Sequence, residues 1–298
     1  MSATLVITRA GPLATVQDMG RFGMLLHGLS ASGPMDRAGY AAAGLLGMAP
    51  AGAIEITAAG LDFRVEGGSC TLGAAGGEFT IRHNGKRAAW PGQLTLATGD
   101  SVSVSPGPSG NYGYLRFDGA IDVPNVLGSI ATNSRARIGG VEGRALVAGD
   151  RLDLRAGTAP EAMPATRPDV EGPIRFIWGL HADLFGAARE RLVSTPFKIS
   201  TRLDRMGVRL QDTAGVFADS TILSLVSDAV VPGDIQILGD GTPIVLMRDH
   251  QPTGGYPRVA TIVSVDLDRF AQMRPGTTVA FAPVGVDHAH YLLRSGRL

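Results

Sequence analysis

Hydrophobic and polar residues alternate over short stretches along most of the chain, which is typical of β-strands with one buried face. Strands are predicted in the first half at residues 5–7, 61–65, 78–82, 93–96, 101–105 and 112–117. A second group is predicted at residues 174–177, 222–225, 243–246, 259–265 and 279–283. The pattern therefore predicts a mainly β protein.

Turn residues separate these strands. Gly67-Gly68, Asn84-Gly85, Pro91-Gly92 and Gly99-Asp100 all fall between predicted strands, and Asn84-Gly85 is the strongest hairpin signal. Glycine accounts for 41 of 298 residues, which suits many tight turns because glycine readily adopts positive φ.

Helix signals are few. Asp36 is expected to cap a helix over residues 37–46, and a second short helix is expected near residues 187–192. A third is expected to start at Asp266 or Asp268 and to run to Met273 before Pro275-Gly276.

Residues 156–173 contain four prolines and almost no periodic apolar positions, which is the composition of a linker. We therefore predict two domains, residues 1–165 and 166–298. The residues leave open whether the first 33 positions pack with the second half.

Composition excludes several classes of function. The 27 basic and 27 acidic residues balance, so no nucleic-acid partner is expected. No apolar run is long enough to cross a membrane, and the start does not resemble a secretory signal, so we expect a cytoplasmic protein without a membrane partner. Cys70 is the single cysteine, and His288 and His290, which alternate as they would on a strand, lack a third ligand; no metal site is expected.

Two polar segments of the first half are candidate site segments. One is the glycine-rich stretch of residues 119–140, which could clamp a phosphate or carboxylate, or in which Asp122 could instead pair with Arg135 or Arg137. The other contains Gln17 and Arg21 and continues through Ser32 in the sequence Ser-Gly-Pro-Met-Asp that ends at Asp36. A helix start there could bind an anion through its backbone amides. The alternative is structural, with Asp36 as a helix cap and Gln17 and Arg21 on a loop.

Two more candidate segments lie in the second half. Asp204-Arg205 is followed by Met-Gly, and either Arg205 faces a ligand or the two residues form a structural network. Residues 249–258 join two apolar strands by a polar, glycine-rich loop in which consecutive amides of Gly254 and Gly255 are expected to converge on one acceptor. Gln251, Thr253 and Tyr256 would add hydrogen-bond donors. His181 and Asp183 resemble a catalytic pair only loosely.

Seven motifs, in order, resemble the family of C-type subunits of 5-oxoprolinase, which is also called KipA or KipI antagonist, allophanate hydrolase subunit 2, or biotin-dependent carboxyltransferase family protein. They are TVQDMGRFG, SGPMD, GAIDVPNVLGS, RIGG, DRMGVRL, VVPGDIQ and QPTGGYPRVATI. The resemblance implies two tandem cyclophilin-like β-barrel domains with a few short helices. Leu203, His250 and Pro252 depart from the motifs usual in the family.

The resemblance also implies partners and chemistry. Such proteins work with the A-type subunit of 5-oxoprolinase and with the B-type subunit, which is of the KipI or allophanate hydrolase subunit 1 type. Together they convert 5-oxo-L-proline to L-glutamate at the expense of ATP, with Mg as the accompanying cofactor in the assembled complex. The motifs imply catalytic roles for Asp36, Asp204, Arg205, Gln251, Tyr256 and Arg258, and substrate-binding roles for Gln17, Arg21, Ser32, Gln236, Thr253, Gly254 and Gly255. Two alternatives stay open: carboxyl transfer from carboxybiotin to urea or a related amide, and a regulatory protein that binds a KipI-like inhibitor.

Overall fold

A computed structural model describes residues 3–44, 52–156, 171–219, 222 and 225–295. The chain divides into two compact units. The first unit comprises Met1–Arg21 and Ser32–Ala165, and the second comprises Phe22–Ala31 and Thr166–Leu298. The boundary predicted near residue 165 and most of the predicted linker lie outside the described residues.

In its described residues the first unit consists mainly of strands, together with the short helix α1 (Arg37–Ala42). Its strands are β1 (Thr4–Ala10), β2 (Thr15–Gln17), β3 (Ala53–Thr57), β4 (Leu61–Glu66), β5 (Ser69–Gly76), β6 (Phe79–His83), β7 (Lys86–Ala88), β8 (Gly92–Ala97), β9 (Ser101–Pro106), β10 (Tyr112–Phe117), β11 (Gly119–Ile121) and β12 (Arg151–Ala156). They form a seven-stranded sheet in the order β11-β12-β1-β4-β9-β6-β7 and a five-stranded sheet in the order β2-β3-β10-β5-β8.

Both sheets of the first unit contribute side chains to one apolar core. Phe63 of β4 and Phe117 of β10 meet edge to face across it, with ring centroids 6.1 Å apart. Successive residues of a strand face opposite sides of a sheet, so the alternating apolar residues of these strands point into the core. Burial of such side chains is the main stabilising contribution to this unit.

The second unit also consists mainly of strands. These are β13 (Ile174–Trp178), β14 (Phe197–Leu203), β15 (Gly207–Gln211), β16 (Asp228–Ala229), β17 (Asp234–Ile237), β18 (Pro243–Leu246), β19 (Thr253–Gly254), β20 (Arg258–Ile262), β21 (Thr278–Val279) and β22 (Phe281–Pro283). Its helices are α2 (Ala187–Ser194), α3 (Ser264–Ala271) and α4 (Val286–Ser295), with short 3-10 helices at Leu25–His27 and Ala182–Phe185.

The large sheet of the second unit nearly closes into a barrel. Its eight strands follow the order β21-β14-β15-β18-β17-β20-β13-β22, so β21 and β22 are the two edges. Only Ala280 separates these two strands along the chain, so the edges must come together. The rings of Phe197 on β14 and Phe281 on β22 confirm this closure, with centroids 6.0 Å apart.

The predicted mainly β fold class with a few short helices is confirmed. The hairpin at Asn84-Gly85 is confirmed too, because β6 pairs with β7 through His83 and Lys86. Asn84 and Gly85 have φ values of 50° and 78°, as a type I′ turn requires. The strand predicted at residues 222–225 lies largely outside the described residues.

Three local predictions differ from the structure. The strand predicted at residues 259–265 ends at Ile262, because α3 begins at Ser264. Asp266 does not cap α3; it lies in the first turn, where its carboxylate accepts hydrogen bonds from the backbone and guanidinium of Arg175 at 2.6–2.9 Å. His288 and His290 lie on helix α4 rather than on a strand.

Candidate functional site

The four candidates of the first unit, Gln17, Arg21, Ser32 and Asp36, are all buried. The amide of Gln17 donates to Thr15 Oγ1 at 3.0 Å and to the Thr132 carbonyl at 3.1 Å, and its Oε1 accepts from the Gly33 amide at 3.1 Å. Every polar group of this side chain therefore has a partner inside the unit.

Arg21 and Ser32 are held in the same way. The Arg21 guanidinium donates to the carbonyl oxygens of Ala131 and Val126. Ser32 Oγ accepts a hydrogen bond from Asn133 Nδ2 at 3.1 Å. These contacts tie the segment around β2 to the loop of residues 126–133, so they position backbone rather than present free donors to solvent.

Asp36 is the N-cap of α1, as predicted. Its Oδ1 accepts from the Gly39 amide at 2.8 Å, and its own amide donates to the Tyr114 hydroxyl at 2.8 Å. The side chain is fully buried, and its observed contacts are those of a helix cap; the catalytic role of Asp36 stays a prediction.

A buried carboxylate that sequence reasoning missed lies beside this cap. Glu55 Oε2 accepts from the Met35 amide and from the Tyr114 hydroxyl, both at 2.8 Å. Burial raises the pKa of Tyr114, and the neighbouring carboxylates of Glu55 and Asp36 add to the effect. The phenol is thus held protonated as a donor to Glu55. Glu55 lies between Ile54 and Ile56 on a strand. These apolar neighbours were the one feature of the sequence that indicated a buried acid.

In the second unit, Arg205 and Asp249 form a buried ion pair. The two contacts are Nε to Oδ2 at 2.8 Å and Nη2 to Oδ1 at 3.1 Å, and the side chains are 5% and 3% exposed. The guanidinium thus donates two side-by-side hydrogen bonds, one to each oxygen of the carboxylate. The alternative network between Asp204 and Arg205 is wrong, because Asp204 Oδ1 accepts instead from the amides of Met206 and Gly207 in the turn between β14 and β15.

The loop of residues 251–258 surrounds Gln236, a buried residue of β17. Gln236 Nε2 donates to the Tyr256 carbonyl at 3.3 Å, and a Cβ atom placed on Gly254 would lie 2.4 Å from that nitrogen. A side chain at position 254 would therefore displace the terminal amide of Gln236.

The backbone of Gly254 and Gly255 does not have the conformation of an anion-binding turn. Gly254 ends strand β19, which pairs with β16, and Gly255 follows the strand. Neither glycine has the positive φ that an anion-binding turn uses. A role for these residues in ligand binding stays a prediction.

Arg258 contacts two carboxylates. Its guanidinium lies against Asp228 and is 3.5 Å from Asp234, and the side chain is 11% exposed. Asp234 is buried and also accepts from Thr261 Oγ1 at 2.6 Å and from the Val231 amide at 2.9 Å. The Arg258 amide donates to His181 Nδ1 at 3.2 Å, which leaves the proton of a neutral His181 on Nε2. Asp183 instead contacts Arg189, so His181 and Asp183 do not form the pair considered from sequence.

The carboxylates of both ion pairs, Asp234 and Asp249, act electrostatically on His250. His250 is buried, and its Nδ1 lies 2.7 Å from the Gln251 carbonyl. Burial lowers the pKa of His250, although the nearby carboxylates of Asp234 and Asp249 oppose that shift. The same two carboxylates bind Arg258 and Arg205. We refer to His250, these two ion pairs and the loop of residues 251–258 as the polar cluster of the second unit.

Three members of this cluster reach solvent. Tyr256 is 39% exposed, Thr253 is exposed and Gln251 is half-buried. These side chains offer two hydroxyl groups and one amide to a small polar ligand. The cluster can therefore donate hydrogen bonds to a carbonyl oxygen, while its buried charges hold the loop in place.

The structure also describes the single cysteine of the chain. Cys70 is buried, and burial raises the pKa of its thiol to about 12, so the reactive thiolate is not formed near neutral pH. Among the described residues no group of three potential ligands could hold a metal ion. No helix in the described part of the chain is both long and apolar enough to span a bilayer.

Comparison with known proteins identifies the family. A family model described as carboxyltransferase domain, subdomain A and B, matches residues 27–283. The 5-oxoprolinase C-type subunit of Escherichia coli (strain K12) is 35% identical over 295 residues, covering 96% of this chain and 93% of that protein. The chain belongs to the family of C-type subunits of 5-oxoprolinase.

Other members and solved structures agree. The 5-oxoprolinase C-type subunit of Haemophilus influenzae is 33% identical over 291 residues, again covering 96% of this chain and 93% of that protein. The urea amidolyase of K. lactis superposes with a TM-score of 0.86 at 25% identity, over 98% of this chain but only 19% of that larger one. The Kluyveromyces lactis urea carboxylase gives a TM-score of 0.85 at 25% identity over 99% of this chain and 28% of that one. The resemblance inferred from the seven motifs is confirmed.

Proposed function

We propose that this chain is the C-type subunit of a 5-oxoprolinase, which acts with the A-type and B-type subunits to convert 5-oxo-L-proline to L-glutamate with ATP hydrolysis. The observation that carries the proposal is the 35% identity to the 5-oxoprolinase C-type subunit of Escherichia coli across nearly the whole of both chains. Similarity over full length supports a shared role better than a match to one domain would.

The polar cluster of the second unit supplies the chemistry for the lactam. Opening the ring requires polarisation of the amide carbonyl, and the exposed groups of Gln251, Thr253 and Tyr256 are donors suited to it. Asp204 is exposed at the end of β14, whereas Asp36 is buried in a cap. Of the two carboxylates considered for proton transfer, we therefore propose Asp204.

ATP and Mg would bind in the assembled complex, and neither Arg205 nor Arg258, the arginines predicted to be catalytic, is placed to hold the phosphates. The guanidinium of Arg205 is paired with Asp249, and that of Arg258 with Asp228 and Asp234. A phosphate group would have to displace a carboxylate from either arginine, so we assign neither as a phosphate ligand.

The test is reconstitution with the two partner proteins. The chain is mixed with the A-type and B-type subunits, and ATP hydrolysis is measured with and without 5-oxo-L-proline. We expect turnover only when all three proteins and 5-oxo-L-proline are present. Absence of turnover from a complex that assembles contradicts the proposal.

The Tyr256→Phe variant tests the site itself. It removes one exposed hydroxyl and leaves the backbone carbonyl that holds Gln236, so the fold should be unaffected. We expect a loss of roughly a hundredfold to a thousandfold in turnover if this hydroxyl donates to the developing oxyanion. Tyr291→Phe is the matched control, because Tyr291 is 62% exposed on α4 and belongs to no predicted site.

Carboxyl transfer is the second candidate function. It is favoured by the carboxyltransferase description of the family model and by the TM-score of 0.85 to a urea carboxylase. Such a reaction would need carboxybiotin from a carrier protein. Avidin, which sequesters biotin, separates the two functions: ATP hydrolysis that depends on 5-oxo-L-proline and persists with avidin supports the first, and complete inhibition supports the second.

A further inference from the structure

A cavity of about 430 Å³ lies in the second unit beside strands β14, β15 and β18. Its charged lining residues are Arg202, Arg209, Asp212 and Asp240. Cavities that bind small molecules commonly measure about 300 to 1,000 Å³. This one is large enough for a small polar molecule together with bound water.

The cavity is separate from the polar cluster around Arg205 and Arg258, and none of the predicted site residues lines it. Strand β15 starts next to the turn that carries Arg205 and ends at Gln211, which lines the cavity. Five strand residues span about 13 Å. The cavity residues of β15, which are Arg209, Leu210 and Gln211, thus occupy the later part of the strand.

The two arginines of the cavity differ from others in the unit. Arg175, Arg205 and Arg258 are each held by a carboxylate. Among the described residues, neither Arg202 nor Arg209 donates a guanidinium hydrogen bond or has a carboxylate within ion-pair distance. Two guanidinium groups that lack a carboxylate partner among the described residues thus line one cavity. They favour an anionic ligand, because a guanidinium can donate two parallel hydrogen bonds to the two oxygens of a carboxylate.

The carboxylates of the cavity are already oriented by the loops. Asp240 Oδ1 accepts from the Thr242 amide at 2.9 Å, and Asp212 Oδ2 accepts from the Phe217 amide at 2.9 Å. Hydrogen bonding within residues 240–242 lowers the pKa of Asp240, and Arg209 contributes to that shift. Asp240 is therefore a fixed negative charge near Arg209.

Strand β14 departs from regular pairing at this cavity. Ile199 pairs with Leu210 and Leu203 pairs with Val208, so two extra residues are accommodated on β14 between these pairs. The irregular residues Ser200, Thr201 and Arg202 line the cavity. Bulges of this kind are frequent beside binding sites, where they redirect side chains. The hydroxyls of Ser200, Thr201 and Thr242 add further polar groups.

We propose that this cavity binds an acidic α-amino acid, with Arg202 and Arg209 on its two carboxylates and Asp240 on its ammonium group. The inference rests on the proposed function in one respect, since L-glutamate is the product expected of a 5-oxoprolinase. The cavity would then be a product-binding site apart from the cluster that acts on the lactam.

The experiment is calorimetric titration of the whole chain with L-glutamate, glutarate and L-glutamine. Glutarate lacks the ammonium group, and L-glutamine lacks one carboxylate, so both should bind more weakly. Arg209→Gln and Arg202→Gln should each weaken L-glutamate binding about tenfold or more, as expected for loss of a charged hydrogen bond. Asp240→Asn keeps the acceptor for the Thr242 amide and should remove the preference for L-glutamate over glutarate.

Arg294→Gln is the matched control, because Arg294 is exposed on α4 and distant in sequence from the cavity. No binding of L-glutamate at millimolar concentration, or binding unchanged in both arginine variants, overturns the proposal. Binding that Arg258→Ala abolishes as completely as Arg209→Gln also overturns it, because the ligand would then occupy the other cluster. Glutamate binding without turnover in the reconstituted complex defeats only the proposed function, and turnover without glutamate binding defeats only this site.

Discussion

At the scale of single residues, the ion pair of Arg205 and Asp249 has the sharpest energetic consequence. Both side chains are at least 95% buried, so removal of one partner leaves an uncompensated charge in the interior. We expect Asp249→Ala to lower the free energy of unfolding by about 3 to 5 kcal/mol. Urea denaturation measures the change.

The double variant Arg205→Met with Asp249→Leu is the control for this prediction. It replaces both charges by apolar side chains of similar size, so it should be much more stable than Asp249→Ala. A double variant as unstable as the single one would show that the pair contributes more than charge compensation. The double variant can also be assayed in the reconstituted complex. If it folds but is inactive, the result supports the catalytic role predicted for Arg205.

His250 gives the chain a predicted dependence of stability on pH. Burial holds its folded-state pKa below the ordinary value of 6.5, so the unfolded chain binds a proton more readily than the folded chain. The stabilisation is complete above pH 6.5 and is lost as the pH falls through 6.5 toward the folded-state pKa. We expect the free energy of unfolding to decrease on that acid side.

The His250→Gln variant isolates this contribution, since other groups also titrate in acid. The difference in unfolding free energy between wild type and variant should shrink as the pH falls below 6.5. Chemical denaturation at a series of pH values provides both curves. Parallel curves would mean that His250 does not carry the effect.

These residue contacts show where sequence reasoning stopped. Arg205 and Asp249 both lie in candidate segments, but their pairing spans 44 positions and depends on how β15 lies against β18. Glu55 was missed for the same reason, because its partner Tyr114 lies on another strand of the sheet. Local sequence reports the polarity of a side chain but not the partner that satisfies it.

At the scale of elements, the contact between strand β19 and Gln236 of β17 is the most specific. A Cβ atom at position 254 would lie 2.4 Å from Gln236 Nε2 and 3.3 Å from Val230 Cγ1. Because Gln236 is 1% exposed, its side chain has little room to move. We expect Gly254→Ala to cost about 1 to 3 kcal/mol of stability.

A double-mutant cycle identifies the cause. Gly254→Ala should cost less when combined with Gln236→Ala, because the side chain that it meets is then shorter. Gly285→Ala is the control, since its added Cβ meets nothing within 4 Å. Thermal unfolding of the four proteins of the cycle measures the coupling, and equal costs in both backgrounds would contradict the mechanism.

Elements defined by local chemistry were predicted well. The Asn84-Gly85 turn, the Asp36 cap and the helix at Ala187–Ser194 all depend on residues within one turn of each other. Helix α4 was missed because His288 and His290 were considered only as alternating strand positions. The irregularity of β14 could not be seen either, since a bulge exists only relative to the partner strand.

At the scale of the whole molecule, composition and turn spacing predicted the β class but not the order of strands. The first sheet places β1 between β12 and β4, and the second unit brings β21 and β22 to opposite edges of one sheet. Such pairings join segments that are far apart in sequence. The hydrophobic pattern of each strand, in contrast, can be seen in its own residues. The family resemblance supplied the barrel architecture that periodicity alone did not.

The division into two units gives the last prediction, on cooperativity. Phe63 meets Phe117 in the core of the first unit, and Phe281 meets Phe176 and Phe197 in the core of the second. Phe63→Ala and Phe281→Ala should each cost about 3 to 5 kcal/mol, because each leaves a cavity in a packed core. If each unit unfolds around its own core, amide hydrogen exchange should accelerate only in the strands of the unit that carries the substitution. Exchange that accelerates equally in both units would show instead that the two cores unfold as one cooperative structure.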